Sequence, residues 1–309
     1  MIDIRQLRYF LAIADAPSIS AAAHNIGVAQ PSLSHDVQPM EEELGVKLMD
    51  RSPRGTLLTQ EGHVFVEHAR RICDSLDRCI SDMRELGGVL RGKVGFGMPP
   101  SCSMVMSVPL AETVRLELPE VRLRAVEAMS GYLKTWIEDG TVDIGFLYDL
   151  TDASHLRVTH VMDEELFFYS APDAWPLDTP PGTPVPLAAL QPPDMILTSN
   201  GLRNTIEGYC SRHGIKLNVV VEMDAMTQIK ELVARGSGYT IFAPVAAQDF
   251  VQRGELLRAP IVAPTLMRPV YLVSNPARVM TRACRAVEQL TLDVARELVQ
   301  RGIWEASLV

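Results

Sequence analysis

The run Ser18-Ile-Ser-Ala-Ala-Ala-His-Asn-Ile-Gly-Val-Ala-Gln-Pro-Ser-Leu-Ser-His-Asp-Val-Gln-Pro-Met-Glu-Glu-Glu-Leu-Gly-Val-Lys-Leu-Met-Asp-Arg51 decides how the rest of the chain is read. It reads as two short helices joined by a tight turn. The first covers about Ser20 to Asn25 and opens on a hydroxyl that can cap free backbone N–H groups. Ala22 and Ala23 carry almost no side chain, so another helix can cross closely. Gly27 supplies the positive φ that ends a helix cheaply. The second helix starts near Gln30, and Pro31 suits its first turn, where the missing N–H has no intrahelical partner. Leu33 and Val37 lie four apart and face inward, leaving Gln30, Ser32, Ser34 and His35 outside. A short helix that shows small polar side chains can enter a DNA major groove and read base edges. An ordinary helical hairpin would have the same periodicity, so these features alone leave both readings open.

The identities of the residues separate the two. Ser18, Ala22, Ala23, Ile26, Gln30, Pro31, Leu33, Ser34, Val37, Met40, Glu41, Leu44, Gly45, Leu48 and Arg51 fall in one register, followed by Leu58-Thr59-x-x-Gly62. This pattern resembles the DNA-binding domain of LysR-type transcriptional regulators, and in length and layout the resemblance extends over the whole chain. It implies a winged helix-turn-helix over 1–60, a dimerising linker helix over 61–88 and an effector-binding domain over 89–309. The implied DNA contacts are Gln30, Pro31, Ser32, Ser34, His35 and Gln38, with Arg51 and Arg54 on the wing. Two departures stand out. Ala29 occupies a position where the family usually has Ser, which removes a cap of about 1 kcal/mol. Pro39 cannot donate to the residue 35 carbonyl, so it should bend or end the recognition helix.

Bulk composition sets the outer limits. A chain of 309 residues with 47% hydrophobic and 22% charged residues fits two or three ordinary globular domains. No run of 18 or more apolar residues is present, so no transmembrane span and no membrane partner are expected. The apolar stretch from Tyr9 to Ala16 follows Asp3 and is broken by Asp15, which argues against a signal peptide and for a cytoplasmic protein. Cys73, Cys79, Cys102, Cys210 and Cys284 have no metal-ligand spacing, and their odd, scattered count fits reduced thiols. Net charge is −9, and within the first sixty residues five cations face seven acids. Non-specific DNA affinity should therefore be weak, with specificity resting on base contacts and dimerisation.

Residues 3–16 read as a bracing helix, with Ile4, Leu7, Leu11 and Ala14 at helical spacing and Phe10 beside them. Residues 50–59 read as a hairpin with a Pro-Arg-Gly tip, whose arginines could equally be solvated surface groups. From 60 to 88, Phe65, Ala69, Ile72, Leu76, Cys79, Met83 and Leu86 alternate by four and three. That apolar seam suits the same helix of a second subunit, although packing within the chain would use the same residues. Phe65, Ala69, Ile72, Leu76, Cys79 and Met83 are the expected dimer contacts. A dimer would present two recognition helices to a pseudo-palindromic site; the family also implies a tetramer.

Beyond a hinge at Gly87-Gly88 and Gly92, strands and helices alternate, predicting a mainly parallel α/β architecture. Strands are expected at 93–98, 121–127, 142–148, 165–171, 194–198, 217–223, 239–243 and 269–274. Helices are expected at 103–117, 130–139, 202–213, 225–236, 244–252 and 278–302. The proline-rich segment 172–193 should be an extended connection without strand or helix. The resemblance further implies a likeness to periplasmic solute-binding proteins, with lobe I at 93–162 plus 269–309 and lobe II at 163–268. Small anions sit naturally where strands end and helices begin. Ser101, Cys102, Ser103, Ser130, Thr198 and Thr227 mark such junctions, although each hydroxyl could be a simple cap. Arg203 lies in a first helical turn, where a cation is disfavoured unless an anion binds beside it. Phe146, Tyr148 and Phe242 are candidate apolar walls.

These features favour a regulator controlled by a small organic anion, with no cofactor, metal or catalytic residues. An enzyme is disfavoured because no nucleophile elbow, phosphate loop or His-Glu-x-x-His occurs. Gly95-Phe-Gly97 only superficially resembles a dinucleotide loop. A transport solute-binding protein would lack the N-terminal unit. A thiol-based redox sensor of the same fold remains the alternative, although neither Cys102 nor Cys210 has an adjacent His or Lys to favour a thiolate.

Overall fold

The computed structural model describes residues 2–52, 55–85, 90–191, 193–199 and 201–309. The chain forms two compact units, Met1–Gly87 and Gly88–Val309.

The first unit opens with α1 (Ile4–Ala14), whose N-cap Asp3 and Gln6 form a reciprocal capping box. α1 buries Leu7, Phe10 and Ile13 rather than Leu11 and Ala14. The bulkiest ring, Phe10, sets the face and turns the helix by one position from the expected stripe. α2 (Ile19–Ile26) is capped by Ser18, whose hydroxyl accepts from the Ala21 N–H. The capping hydroxyl is thus two residues earlier than Ser20. Gly27 ends α2 at φ 69. α3 (Gln30–Leu44) has no side-chain cap at Ala29 and runs on through Pro39. Pro39 therefore does not end the helix. It sits on the exposed side, where water can take the freed His35 carbonyl. Ala22, Ala23, Leu33, Val37 and Met40 form the core with α1.

The wing is the antiparallel pair β1 (Met49–Ser52) and β2 (Gly55–Leu58). Glu41 anchors its start by accepting from the N–H groups of Leu48 (2.7 Å) and Met49 (3.1 Å). α4 (Gln60–Glu85) follows. The Thr59 hydroxyl accepts from the Gly62 N–H and donates to the Lys47 carbonyl. At Gly62 a Cβ would lie 2.1 Å from the Leu48 carbonyl oxygen, so only glycine lets the helix start this close to the wing. The Thr59-x-x-Gly62 pattern is thus a local fastening. The expected hinge at Gly87-Gly88 lies outside the described residues.

The second unit has two lobes. Its first sheet contains β3 (Gly92–Met98), β4 (Val121–Glu127), β5 (Ile144–Leu147), β6 (Arg157–Glu165), β13 (Met267–Ser274) and β14 (Ala306–Leu308), in the order β14-β6-β13-β5-β3-β4. Helices α5 (Pro100–Glu117) and α10 (Arg282–Gln300) pack on it, as does α6 (Ser130–Asp139), which closes a separate cluster around Leu133, Ile137, Leu147 and Val273. The buried run Val94–Met98 explains the Gly95 and Gly97 pattern. Gly97 faces Gly145 in the parallel β3–β5 pair, and a Cβ on Gly145 would meet the Gly97 carbonyl oxygen at 2.7 Å. These glycines serve close strand and helix packing, and β3 is no phosphate loop.

The second lobe carries β7 (Phe167–Ser170), β8 (Val185–Pro186), β9 (Asp194–Leu197), β10 (Asn218–Glu222), β11 (Thr240–Phe242) and β12 (Leu257–Val262). Its order is β11-β7-β12-β8, and the parallel pair β10-β9 joins it through a Met195–Tyr239 bridge. Helices α7 (Gly201–Arg212), α8 (Met226–Ala234) and α9 (Pro244–Gln252) complete it. The expectation of a mainly parallel sheet fails. β13 runs antiparallel to β5 and β6, and β7 runs antiparallel to β11 and β12. The chain leaves the first lobe along β6 and returns along β13, so these two must oppose each other. The segment 172–193 is not wholly extended either. It gives β8 an edge pairing and a 3-10 turn over 187–190, because Val185, Leu187 and Leu190 are buried. No helix among the described residues is long and apolar enough to cross a membrane.

Candidate functional site

Two surfaces carry the chemistry, one in each unit. On α3, Gln30, Pro31, Ser32, His35 and Gln38 are exposed, while Leu33, Val37 and Met40 hold the helix to the core. The outer face is therefore free to meet a groove. Gln38 donates to Glu42 at 3.2 Å, an exposed bond that a base edge could replace. Ser34 lies in α3 and Arg51 in β1, but neither side chain is among those described. Arg54 lies outside the described residues.

α4 divides the expected seam. Phe65 packs edge-on to Phe10, with centroids 5.2 Å apart, and Ala69 and Cys73 are buried in the same core. These residues are used within the chain. Farther along, Ile72, Cys79 and Met83 are exposed, with Leu76 half-buried between them. Ile80, absent from the sequence reading, extends this exposed apolar strip. The Arg8–Asp77 (2.7 Å) and Arg70–Asp15 ion pairs fasten α1 to α4.

In the second unit a cleft enclosing about 540 Å³, its mouth included, opens between the lobes. It is lined by the first residues of five helices: Pro100 and Ser101 of α5, Ser130 of α6, Gly201 and Leu202 of α7, Met226 of α8, and Ala246 of α9 behind Ala243. The N-caps of α5, α6, α8 and α9 are Pro99, Met129, Ala225 and Ala243, and none supplies a side-chain cap. Uncapped N–H groups and the positive dipole ends make such a cleft favourable to an anion.

Behind the lining lies a buried polar cluster. Arg268 on β13 stacks over the Tyr148 ring at 3.6 Å. Its Nε donates to Glu164 Oε2 at 3.0 Å, and its Nη2 donates to the same oxygen and to Ser101 Oγ at 3.2 Å. The Trp304 indole N–H donates to Glu164 Oε1 at 2.8 Å. Tyr148 Oη lies 2.6 Å from Ser101 Oγ and 3.0 Å from Cys102 Sγ. Burial, the largest single influence, opposes the charge on Arg268, but the charge and hydrogen bond of Glu164, with Tyr148 and Cys102, together outweigh it and push the guanidinium pKa further up. Burial drives the Cys102 thiol and the Tyr148 phenol well above their ordinary ranges, with Glu164 adding to both.

The sequence candidates divide accordingly. Ser101, Ser130 and Thr198 line the cleft, with the apolar walls Tyr148 and Phe242. Cys102 sits one layer behind Ser101 and reaches Tyr148 instead. Ser103 is half-buried on α5 and is not among the lining residues; its backbone carbonyl accepts from the Ser107 hydroxyl. Phe146 is a fully buried core ring packed on Phe96 and Trp304, not a wall. Thr227 is exposed outside the cleft beside the lining residue Met226. Arg203 does not await an anion, because Glu207 (2.7 Å) and Glu222 already pair with it. The expectation failed because the offsetting carboxylates came from its own helix and from β10. Arg268 was missed. A lone arginine in the apolar run Met267–Ser274 was the available signal, since a buried cation demands a partner.

Residues 4–63 match the family described as bacterial regulatory helix-turn-helix protein, lysR family, and residues 87–296 match the LysR substrate binding domain. The chain belongs to the LysR family. It is a LysR-type transcriptional regulator with a DNA-binding and an effector-binding domain. Among its relatives, the nitrogen assimilation regulatory protein nac of Klebsiella aerogenes is 25% identical over 296 residues, covering 95% of each chain. The hydrogen peroxide-inducible genes activator of Haemophilus influenzae is 22% identical, covering 96% of this chain and 99% of that one. The LysR fold is seen again in the structure of full-length CbnR complexed with its target DNA. That structure has a TM-score of 0.73 at 22% identity and covers 96% of this chain and 99% of that one.

All five cysteines of this LysR-family chain are thiols. Cys210 is buried, and burial together with Glu207 pushes its pKa up to about 11. Neither Cys102 nor Cys210 thus has the low-pKa setting of a peroxide-reactive thiolate.

Proposed function

We propose that this regulator acts in the cytoplasm as a dimer or a tetramer. It would place two α3 helices on a pseudo-palindromic promoter site and respond to a small organic anion held between the lobes of its second unit. No catalytic step is involved. The observation that carries the reading is the cleft itself: five helix starts, four without a side-chain cap, converge on one cavity beside a buried arginine. An anion is what such a field attracts. The polar outer face of α3 supports base reading by Gln30, Ser32, Ser34, His35 and Gln38, with Pro31 setting the helix start and Arg51 and Arg54 on phosphate or minor groove. Ile72, Leu76, Cys79 and Met83 are the proposed dimer contacts, with Phe65 and Ala69 buttressing them from within the chain.

Fluorescence anisotropy of the purified protein on DNA from upstream of its own gene, against scrambled DNA at two salt concentrations, tests this reading. Tight binding to the upstream DNA alone, altered by an organic acid, is expected. Equal binding to both DNAs, lost steeply with salt, would refute it.

A further inference from the structure

The cleft's charge balance carries a more specific conclusion. Among the described lining residues, Arg268 is the only charged side chain. It is 3% exposed. One face of its guanidinium lies on Tyr148, and its Nε and Nη2 are committed to Glu164 and Ser101. The remaining nitrogen, Nη1, has no hydrogen-bond partner among the described residues. Glu164, fully buried, has already matched the arginine charge. A single incoming carboxylate would find one unused donor nitrogen, the hydroxyls of Ser101, Ser130 and Thr198, and the partial positive charges of the helix starts. A second carboxylate would find neither a cation that is still unmatched nor another unused guanidinium donor, and would be buried uncompensated. The other walls are apolar: Met129, Leu202, Met226, Phe242 and Ala246.

We infer that the cleft selects monocarboxylates with a compact apolar body, anchored on Nη1 of Arg268, and excludes dicarboxylates. Arg268 is then the residue that holds the single carboxylate, while the Met, Leu and Phe walls select the body. The inference rests on the reading of the cleft as an anion site and narrows it to one charge and one kind of body.

Isothermal titration of the full-length protein with three matched probes tests it: 3-phenylpropanoate, its amide 3-phenylpropanamide, and benzylmalonate, which adds one carboxylate to the same skeleton. The monocarboxylate should bind at least about tenfold tighter than either of the others, a gap of roughly 1.4 kcal/mol. In the paired variant Glu164→Gln/Arg268→Gln, which removes both charges together, the preference over the amide should fall below threefold. Benzylmalonate binding as tightly as 3-phenylpropanoate overturns the single-charge claim and leaves the anion reading standing. Equal binding of the amide overturns the anion reading as well, and so does binding by none of the three. The wild-type ratios decide the matter even where the paired variant does not fold.

Discussion

Trp304→Phe is the most informative single change to the second unit. Trp304 is fully buried, packs edge-on to Phe146 with centroids 6.0 Å apart, and donates to Glu164 Oε1 at 2.8 Å. Phenylalanine keeps the aromatic contact and deletes the donor. A hydrogen bond to a buried charge contributes roughly 1.5–3 kcal/mol, and the vacated ring space adds about 1 kcal/mol. The expected loss is about 3 kcal/mol, or a melting temperature lower by about 6–12 °C for a domain of this size. Trp136→Phe is the control, because Trp136 is only half-buried on α6 and no hydrogen bond from its indole is seen among the described residues. It should shift the melt by less than about 2 °C. Thermal unfolding followed by circular dichroism reads both. If Trp304→Phe melted within 2 °C of the parent, the indole would not be holding Glu164, and the buried cluster would lose its support from the segment between α10 and β14.

Three other outcomes are expected. Met83→Glu, on the exposed part of the α4 strip, should raise the dimer dissociation constant at least tenfold by sedimentation while leaving the melt of the first unit unchanged, whereas Phe65→Ala should destabilise that unit by about 2 kcal/mol. Gly145→Ala should cost about 1–3 kcal/mol in urea unfolding, because its Cβ would press on the Gly97 carbonyl oxygen and force β3 and β5 apart. Iodoacetamide at pH 8 should spare Cys102 and Cys210 in the native protein, because their buried thiols have raised pKa values, and both should react only after unfolding; Cys79 should be shielded in the dimer and modified in the dissociated Met83→Glu variant, as read by mass spectrometry.

What the sequence disclosed and what it hid follow a physical division. Features set by neighbours a few residues away were legible: Gly27 ending α2, the cap lost at Ala29, the α6 and α9 spans, and the hydroxyls of Ser101, Ser130 and Thr198 at strand–helix junctions. Features set by distant partners were not. Arg203 looked misplaced against its own helix dipole because Glu222, on β10, is invisible to local reasoning, although its other partner, Glu207, lay one turn along the same helix. Phe146 read as a wall because an apolar residue near a strand end does not reveal which side of the sheet it faces. The antiparallel return of β13 escaped for the same reason, since strand direction is fixed by where the chain has travelled. Pro39 shows the converse: a strong local rule was softened because the residue lies on the solvent side of α3. Phe65 and Cys79 share one periodic seam, yet only the packing of α1 tells which end is already occupied.

The pairing of β6 with β13 has a consequence for how this molecule can be rebuilt. The Leu166 N–H donates to the Leu266 carbonyl at 2.8 Å, just where the two strands leave the first lobe. Everything between these residues begins and ends at one hydrogen bond. Topologically the second lobe is an insertion at the tip of a hairpin. Cutting it out and closing the gap with a short turn would leave the first lobe's strand order unbroken, and a lobe from a relative could be grafted on the same two attachment points. Half of the cleft is therefore a replaceable module, while Arg268, Glu164 and Trp304 stay behind with the frame.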